Sequence, residues 1–170
     1  MKKFTLLFAF VAAAFCTTQA QSVSKVWVSD LGNGNYKNPV LYADYSDPDV
    51  CRVGNDYYMV ASSFANTPAL PILHSNDMVN WTIIGYAAQQ VLPEERFSTM
   101  QHGNGVWAPS IRYHNGTYYI INTFVSAGRE ADRDNYIITA KNPAGPWSNP
   151  IVVKGADGID SSLFFDDDGS

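Results

Sequence analysis

Asp47-Pro48-Asp49-Val50-Cys51-Arg52-Val53-Gly54-Asn55-Asp56-Tyr57-Tyr58-Met59-Val60 decides the fold. It reads as a β-hairpin: a short alternating strand, a Gly-Asn-Asp turn, then an aromatic and β-branched strand. The pattern returns as Ala108-Pro109-Ser110-Ile111-Arg112-Tyr113-His114-Asn115-Gly116-Thr117-Tyr118-Tyr119-Ile120. It begins a third time as Asp160-Ser161-Ser162-Leu163-Phe164-Phe165-Asp166-Asp167-Asp168-Gly169. Asp47, Ala108 and Asp160 stand 61 and 52 positions apart. Self-similarity of that length signals a repeat architecture.

Each repeat continues in the same way. After the first hairpin come Leu70–Ser75, a turn at Asn76-Asp77, and Asn80–Gly85 with Trp81. After the second come Asn135–Ala140, a turn at Asn142-Pro143-Ala144-Gly145, then Trp147 and Ile151–Val153. Four strands per repeat, with a Trp before or within the fourth, predict the blades of a β-propeller. A blade cannot bury both faces alone, so neighbours must stack around an axis. A β-sandwich is the rival all-β fold, but it does not explain the matching positions. The chain is expected to hold two blades and the start of a third, as the N-terminal part of a longer protein. Trp81 and Trp147 are expected in the core, and Leu92–Met100 in at most one helical turn. The link Tyr86–Val106, carrying Gln101-His102-Gly103-Asn104-Gly105, reads as a long inter-blade loop of the kind that serves a site, with a solvated crossover as the equal alternative.

Residues 1–20 read as a signal peptide: Lys2 and Lys3, an apolar run Phe4–Phe15, and cleavage after Ala20. The run is too short for a permanent membrane span. A lipoprotein anchored at Cys16 is the alternative. Residues 21–43 read as an extended lead-in with a turn at Gly32-Asn33-Gly34-Asn35, and residues 44–170 as a truncated propeller domain. The expected location is periplasmic or extracellular. The formal charge of −5 becomes −7 once Lys2 and Lys3 leave with the signal. That speaks against nucleic acid or an anionic membrane as partner and suits a neutral ligand such as a sugar. Cys51 alone remains after cleavage, so no internal disulfide is expected.

Equivalent positions in successive blades converge on one mouth of a propeller. Asp47 and Asp160 are equivalent, so two carboxylates are expected to face one funnel. Paired acids flanking a cleft are what glycosidic hydrolysis needs. The alternative role for both is capping turns or tying blades together. Asp49 is the weaker acid candidate. Phe64 and Trp107 could present flat apolar faces to a sugar ring, with a place in the core as the alternative that aromatics at blade positions usually take. His102 is expected to bond within its own loop. A solvated turn is expected at Asp166-Asp167-Asp168-Gly169, with a structural calcium site as the alternative; no cofactor is expected to be required. The sequence shows no zinc spacing, no phosphate-binding Gly-rich loop and no nucleophile elbow.

Several stretches in order resemble glycoside hydrolase family 43. They are Asn38-Pro39-Val40-Leu41, Tyr45-Ser46-Asp47-Pro48-Asp49-Val50, Leu70–Ser75 with Asp77 and Val79-Asn80-Trp81, Gly105–Ile111, and Ile159–Phe164. The resemblance covers residues 38–168. It implies a five-bladed propeller and an inverting β-xylosidase, α-L-arabinofuranosidase or arabinanase. It implies that Asp47 is the general base, that Asp160 tunes and orients the general acid, and that Phe64 and Trp107 wall the sugar. The usual Asp-Pro-Ser is Asp47-Pro48-Asp49 in the first blade and Asp160-Ser161-Ser162 in the third. The family's acid is a glutamate of a later blade, and Glu94, Glu95 and Glu130 do not stand in its motif. The expected function is therefore secreted hydrolysis of xylan- or arabinan-type plant oligosaccharides or polysaccharides, with the chain by itself inactive. A non-catalytic glycan-binding propeller is the alternative. So is another propeller glycosidase, since Ser75, Asp77 and Trp81 resemble an Asp-box turn.

Overall fold

A computed structural model of the chain describes residues 26–90, 94–97, 102–126 and 133–168. The signal segment with Cys16, residues 21–25 of the lead-in, Gln101, Glu130 and Gly169 lie outside them. The first sheet contains β1 (Asp49–Val53), β2 (Asp56–Val60), β3 (Ala69–Ser75) and β4 (Thr82–Ala88), all antiparallel and in that spatial order. Gly54, at φ 64°, makes the tight turn between β1 and β2, and Val53 pairs with Asp56 across it. A single helical turn, α1 (Glu94–Phe97), falls within the expected stretch.

The second sheet is built from β5 (Gly105–Val106), β6 (Ser110–His114), β7 (Thr117–Val125), β8 (Arg133–Ala140) and β9 (Ile151–Val152). Asn115 and Gly116 both take positive φ between β6 and β7, the backbone of a type I′ hairpin turn. The inner strand differs from the expected single run. β5 and β6 pair with opposite ends of the same β7 edge, Val106 against Phe124 and Ser110 against Ile121. The break falls at residues 107–109, where Pro109 has no N–H to give a ladder. The long link is also shorter than expected at both ends, because β4 runs on to Ala88 and β5 takes Gly105 and Val106.

The main core lies between the two sheets rather than within either. Cys51, Val60, Leu70 and Ile72 of the first sheet pack with Ile111, Ile120, Phe124 and Ile138 of the second. Alternation along β7 explains the choice: Tyr118, Ile120 and Phe124 share the face turned to the first sheet. At the outer edge, β4 and the turn after β8 meet so closely that a Cβ on Gly85 would lie 2.9 Å from the Ala144 carbonyl oxygen. Two sheets stacked face to face in this way are successive blades. Trp147 packs against the core as expected. Trp81 does not: it is half-buried outside the core cluster, and its indole N–H donates to the Met78 carbonyl at 2.9 Å. Its ring closes the turn between β3 and β4, where a polar N–H finds a partner it would lack in the core.

That turn is tied from within. Asp77 Oδ1 accepts from the backbone N–H groups of Val79 and Asn80, and Ser75 Oγ accepts from those of Asp77 and Met78. Asn80 also donates to Asp30, joining the lead-in to the first blade. Asp30 and Tyr36 bridge across the Gly32–Asn35 turn, and Trp27 lies stacked on Tyr42 with Lys37 over its ring. The third repeat has begun to pack: the Phe165 ring stacks on His114 with centroids 4.4 Å apart.

Candidate active site

Asp47 lies two residues before β1, in the left-handed region at φ 49°. Asp160 adopts the same backbone at φ 58°, and Phe64 does so at φ 48°. Asp tolerates this conformation better than most residues; for a bulky residue such as Phe it is costly and persists where surrounding structure enforces it. Three of the four sequence-selected site residues therefore share an uncommon backbone. Pro48 bars the right-handed helical alternative at Asp47.

The carboxylate of Asp47 is held by two hydroxyls. Ser46 Oγ donates to Oδ2 at 2.6 Å and Ser62 Oγ to the same oxygen at 2.9 Å. Ser62 is buried, and its backbone N–H donates to the Ser46 carbonyl at 3.0 Å. Both donors fall on Oδ2, and Asp47 is exposed.

Two residues beyond Ser62, the Phe64 backbone pairs with Val106, by N–H to O at 2.9 Å and O to H–N at 3.0 Å. This bridge crosses from the first blade to the second, next to Trp107 in the chain. Gly105, at φ 100°, allows the approach, since a Cβ there would collide with the Phe64 carbonyl. Trp107 is half-buried; its indole N–H donates to the Gly103 carbonyl at 2.6 Å and its backbone N–H to Thr123 at 2.9 Å. The backbone thus links the Asp47 site, through Ser62, to Phe64, and Phe64 to Val106, the chain neighbour of Trp107.

Asp160 is reached by a separate path. Thr123 Oγ1 donates to Asn135 Oδ1 at 2.7 Å, and Asn135 Nδ2 donates to the carbonyl of Ala156 at 2.8 Å. Thr123 and Asn135 are buried, so the segment entering Asp160 is tied to the inside of the second blade. Asp49 proves to be an ion-pair partner: its Oδ2 accepts from Arg112 Nη1 at 2.6 Å and from the Ile111 N–H at 2.8 Å. Sequence reasoning missed Ser62, Arg112 and Asn135. His102 is exposed. Asp166–Asp168 occupy an exposed turn, and among the described residues no cluster of three or more His, Cys, Asp or Glu side chains is placed to hold a metal ion.

The comparisons with known proteins agree on one family. Residues 36–170 match the family described as Glycosyl hydrolases family 43. The chain is 46% identical over 136 residues to a xylosidase/arabinosidase of Butyrivibrio fibrisolvens, covering 78% of this chain and 25% of that protein. It is 38% identical over 144 residues to a non-reducing-end α-L-arabinofuranosidase of Bacteroides ovatus, covering 84% and 27%. The solved structure of a family 43 protein from Bacillus licheniformis superposes with a TM-score of 0.68 at 42% identity, over 78% of this chain and 27% of that one. The chain spans about a quarter of the length of these relatives. A family match over residues 36–170, on a partial all-β propeller, has one meaning: the chain belongs to glycoside hydrolase family 43.

Proposed function

We propose that the complete protein carrying this chain is a secreted glycoside hydrolase that cleaves O-glycosidic bonds of xylan- or arabinan-type plant saccharides with inversion. The relatives named for xylosidase and arabinosidase activities support the substrate class. Asp47 is the general base. The observation that supports this reading is its carboxylate, gripped on Oδ2 by Ser46 and by the buried Ser62.

In this reading Oδ1 of Asp47 takes a proton from water as the water attacks the anomeric carbon. A carboxylic acid on the opposite face protonates the leaving oxygen, and the two groups stand roughly 6.5–9.5 Å apart to admit the water. Phe64 and Trp107 flank the sugar ring and exclude solvent. Asp160 orients the acid and governs its protonation. In this reading the acid is a glutamate of a later blade, and turnover without acid catalysis falls by about 10²–10⁴-fold. Asp47→Asn in the complete enzyme keeps shape and loses basicity. It should abolish turnover even of an activated aryl xyloside or arabinofuranoside, which needs little help from the acid. Wild-type turnover in that variant would make Asp47 a structural turn residue and remove the reading.

A further inference from the structure

We propose that Asp49, Arg112 and Ser162 form a positioning chain that sets the spacing between the Asp47 and Asp160 carboxylates. The inference rests on the site assignment above. Asp49 stands two residues after Asp47, and Ser162 two residues after Asp160. Each follows a left-handed aspartate, so each fixes the exit of the tight turn that aims that carboxylate.

Arg112, on β6 of the intervening blade, joins them. Its Nη1 donates to Asp49 Oδ2 at 2.6 Å and to the Ile111 carbonyl at 2.7 Å. Its Nη2 donates to Ser162 Oγ at 2.9 Å. Ser162 Oγ also lies 3.2 Å from Ser110 Oγ, at the equivalent position of the second blade. The three repeat-equivalent residues Asp49, Ser110 and Ser162 are thus drawn together around one guanidinium. A planar fork can hold two acceptors at a fixed separation, which a lysine ammonium cannot do with the same precision. The chain links the first repeat to the third through a single side chain of the second. The segment before Asp160 is held independently by Asn135, so the Asp160 turn is fixed on both flanks. Such a link matters for an inverting site because its chemistry depends on carboxyl spacing. Ser162 is exposed, so its hydroxyl has little weight in stability and its loss should act on geometry.

The test uses the complete enzyme with an aryl glycoside, comparing Ser162→Ala, Ser162→Thr, Asp49→Asn, the Asp49→Asn/Ser162→Ala pair and Asp47→Asn. Ser162→Ala should lower kcat about tenfold, a fraction of the roughly 10²-fold that a 1 Å misplacement can cost, with KM and melting temperature unchanged. Ser162→Thr keeps the hydroxyl and should restore kcat. The double variant should lose no more than the worse single variant, because both cut one chain. Wild-type kcat in Ser162→Ala, or losses that multiply in the double variant, would overturn the proposal. Asp47→Asn separates the two levels. If it is inactive while Ser162→Ala is normal, only the positioning chain fails; if it is active, the site assignment fails first. Should Asp49→Asn not fold, the contrast between Ser162→Ala and Ser162→Thr decides the question by itself.

Discussion

The Ser62 hydroxyl lies 2.9 Å from Asp47 Oδ2. Ser62 is buried at the end of the second strand of the hairpin, so it has a fixed direction from which to hold the carboxylate. Ser46 is a sequence neighbour of Asp47 and moves with it. We therefore expect Ser62→Ala to lower kcat of the complete enzyme about 10- to 100-fold, the worth of a hydrogen bond to a charged group, roughly 1.5–3 kcal/mol. Steady-state kinetics beside a thermal melt check this. An unchanged kcat would show that Ser46 suffices.

Asn122 is fully buried on β7, and among the described residues neither its Oδ1 nor its Nδ2 has a hydrogen-bond partner. Neighbouring Ile120 and Phe124 on the same face belong to the core. Leucine matches the heavy-atom outline of asparagine and needs no partners. Asn122→Leu should stabilise the protein by about 1–3 kcal/mol, the usual cost of an unpaired buried amide. Urea unfolding measures it. A loss of stability instead would reveal a buried water bonded to the amide.

Burial acts to raise the Asp77 pKa, but hydrogen bonds from the Asn80 side chain, the Asn80 and Val79 N–H groups and Ser75 outweigh it and bring it to about 2. A carboxylate depressed on folding adds stability above its unfolded pKa, near 3.9. That contribution fades as pH falls from about 4 towards 2. Asp77→Asn should flatten the pH dependence of the urea midpoint across this window. Parallel wild-type and variant curves between pH 2 and 5 would contradict the assignment.

Burial pushes the Cys51 thiol up to about 11, with the Asp49 charge adding to the rise and Arg112 opposing it. At pH 8 about one thiol in a thousand is then thiolate, the reactive form. Cys51 should resist an aromatic disulfide reagent in the folded protein and react fully in denaturant. Because Cys51 packs in the layer between blades, its labelling rate reports their separation. Rapid labelling of folded protein at pH 8 would show that the layer opens freely.

Much of this was legible in the chain. The Gly54-Asn55 and Asn115-Gly116 turns set the hairpin registers, and the repeat of four-strand units set the blades. Continuing the first register past Asp49 and Val60 sets Asp47 opposite Ser62, so that contact carried a signal in the hairpin itself. Other features left none. β5 has two residues, and the Phe64–Val106 bridge joins positions far apart in sequence, so neither shows local periodicity. Trp81 misled because a tryptophan at a repeating position suits a core and a turn closure equally. Asp49 looked like a spare acid because its cation, Arg112, comes from the next blade.

A core that lies between blades also imposes a timetable on synthesis. The first blade is complete at Ala88, but the strands that cover its apolar face end at Ala140. At roughly 5–20 residues per second, the ribosome leaves that face open for about 3–10 s. During that interval the nascent chain carries a finished sheet with nothing to lean on. Apolar surface and strand edges left open in this way are what make folding intermediates prone to aggregate.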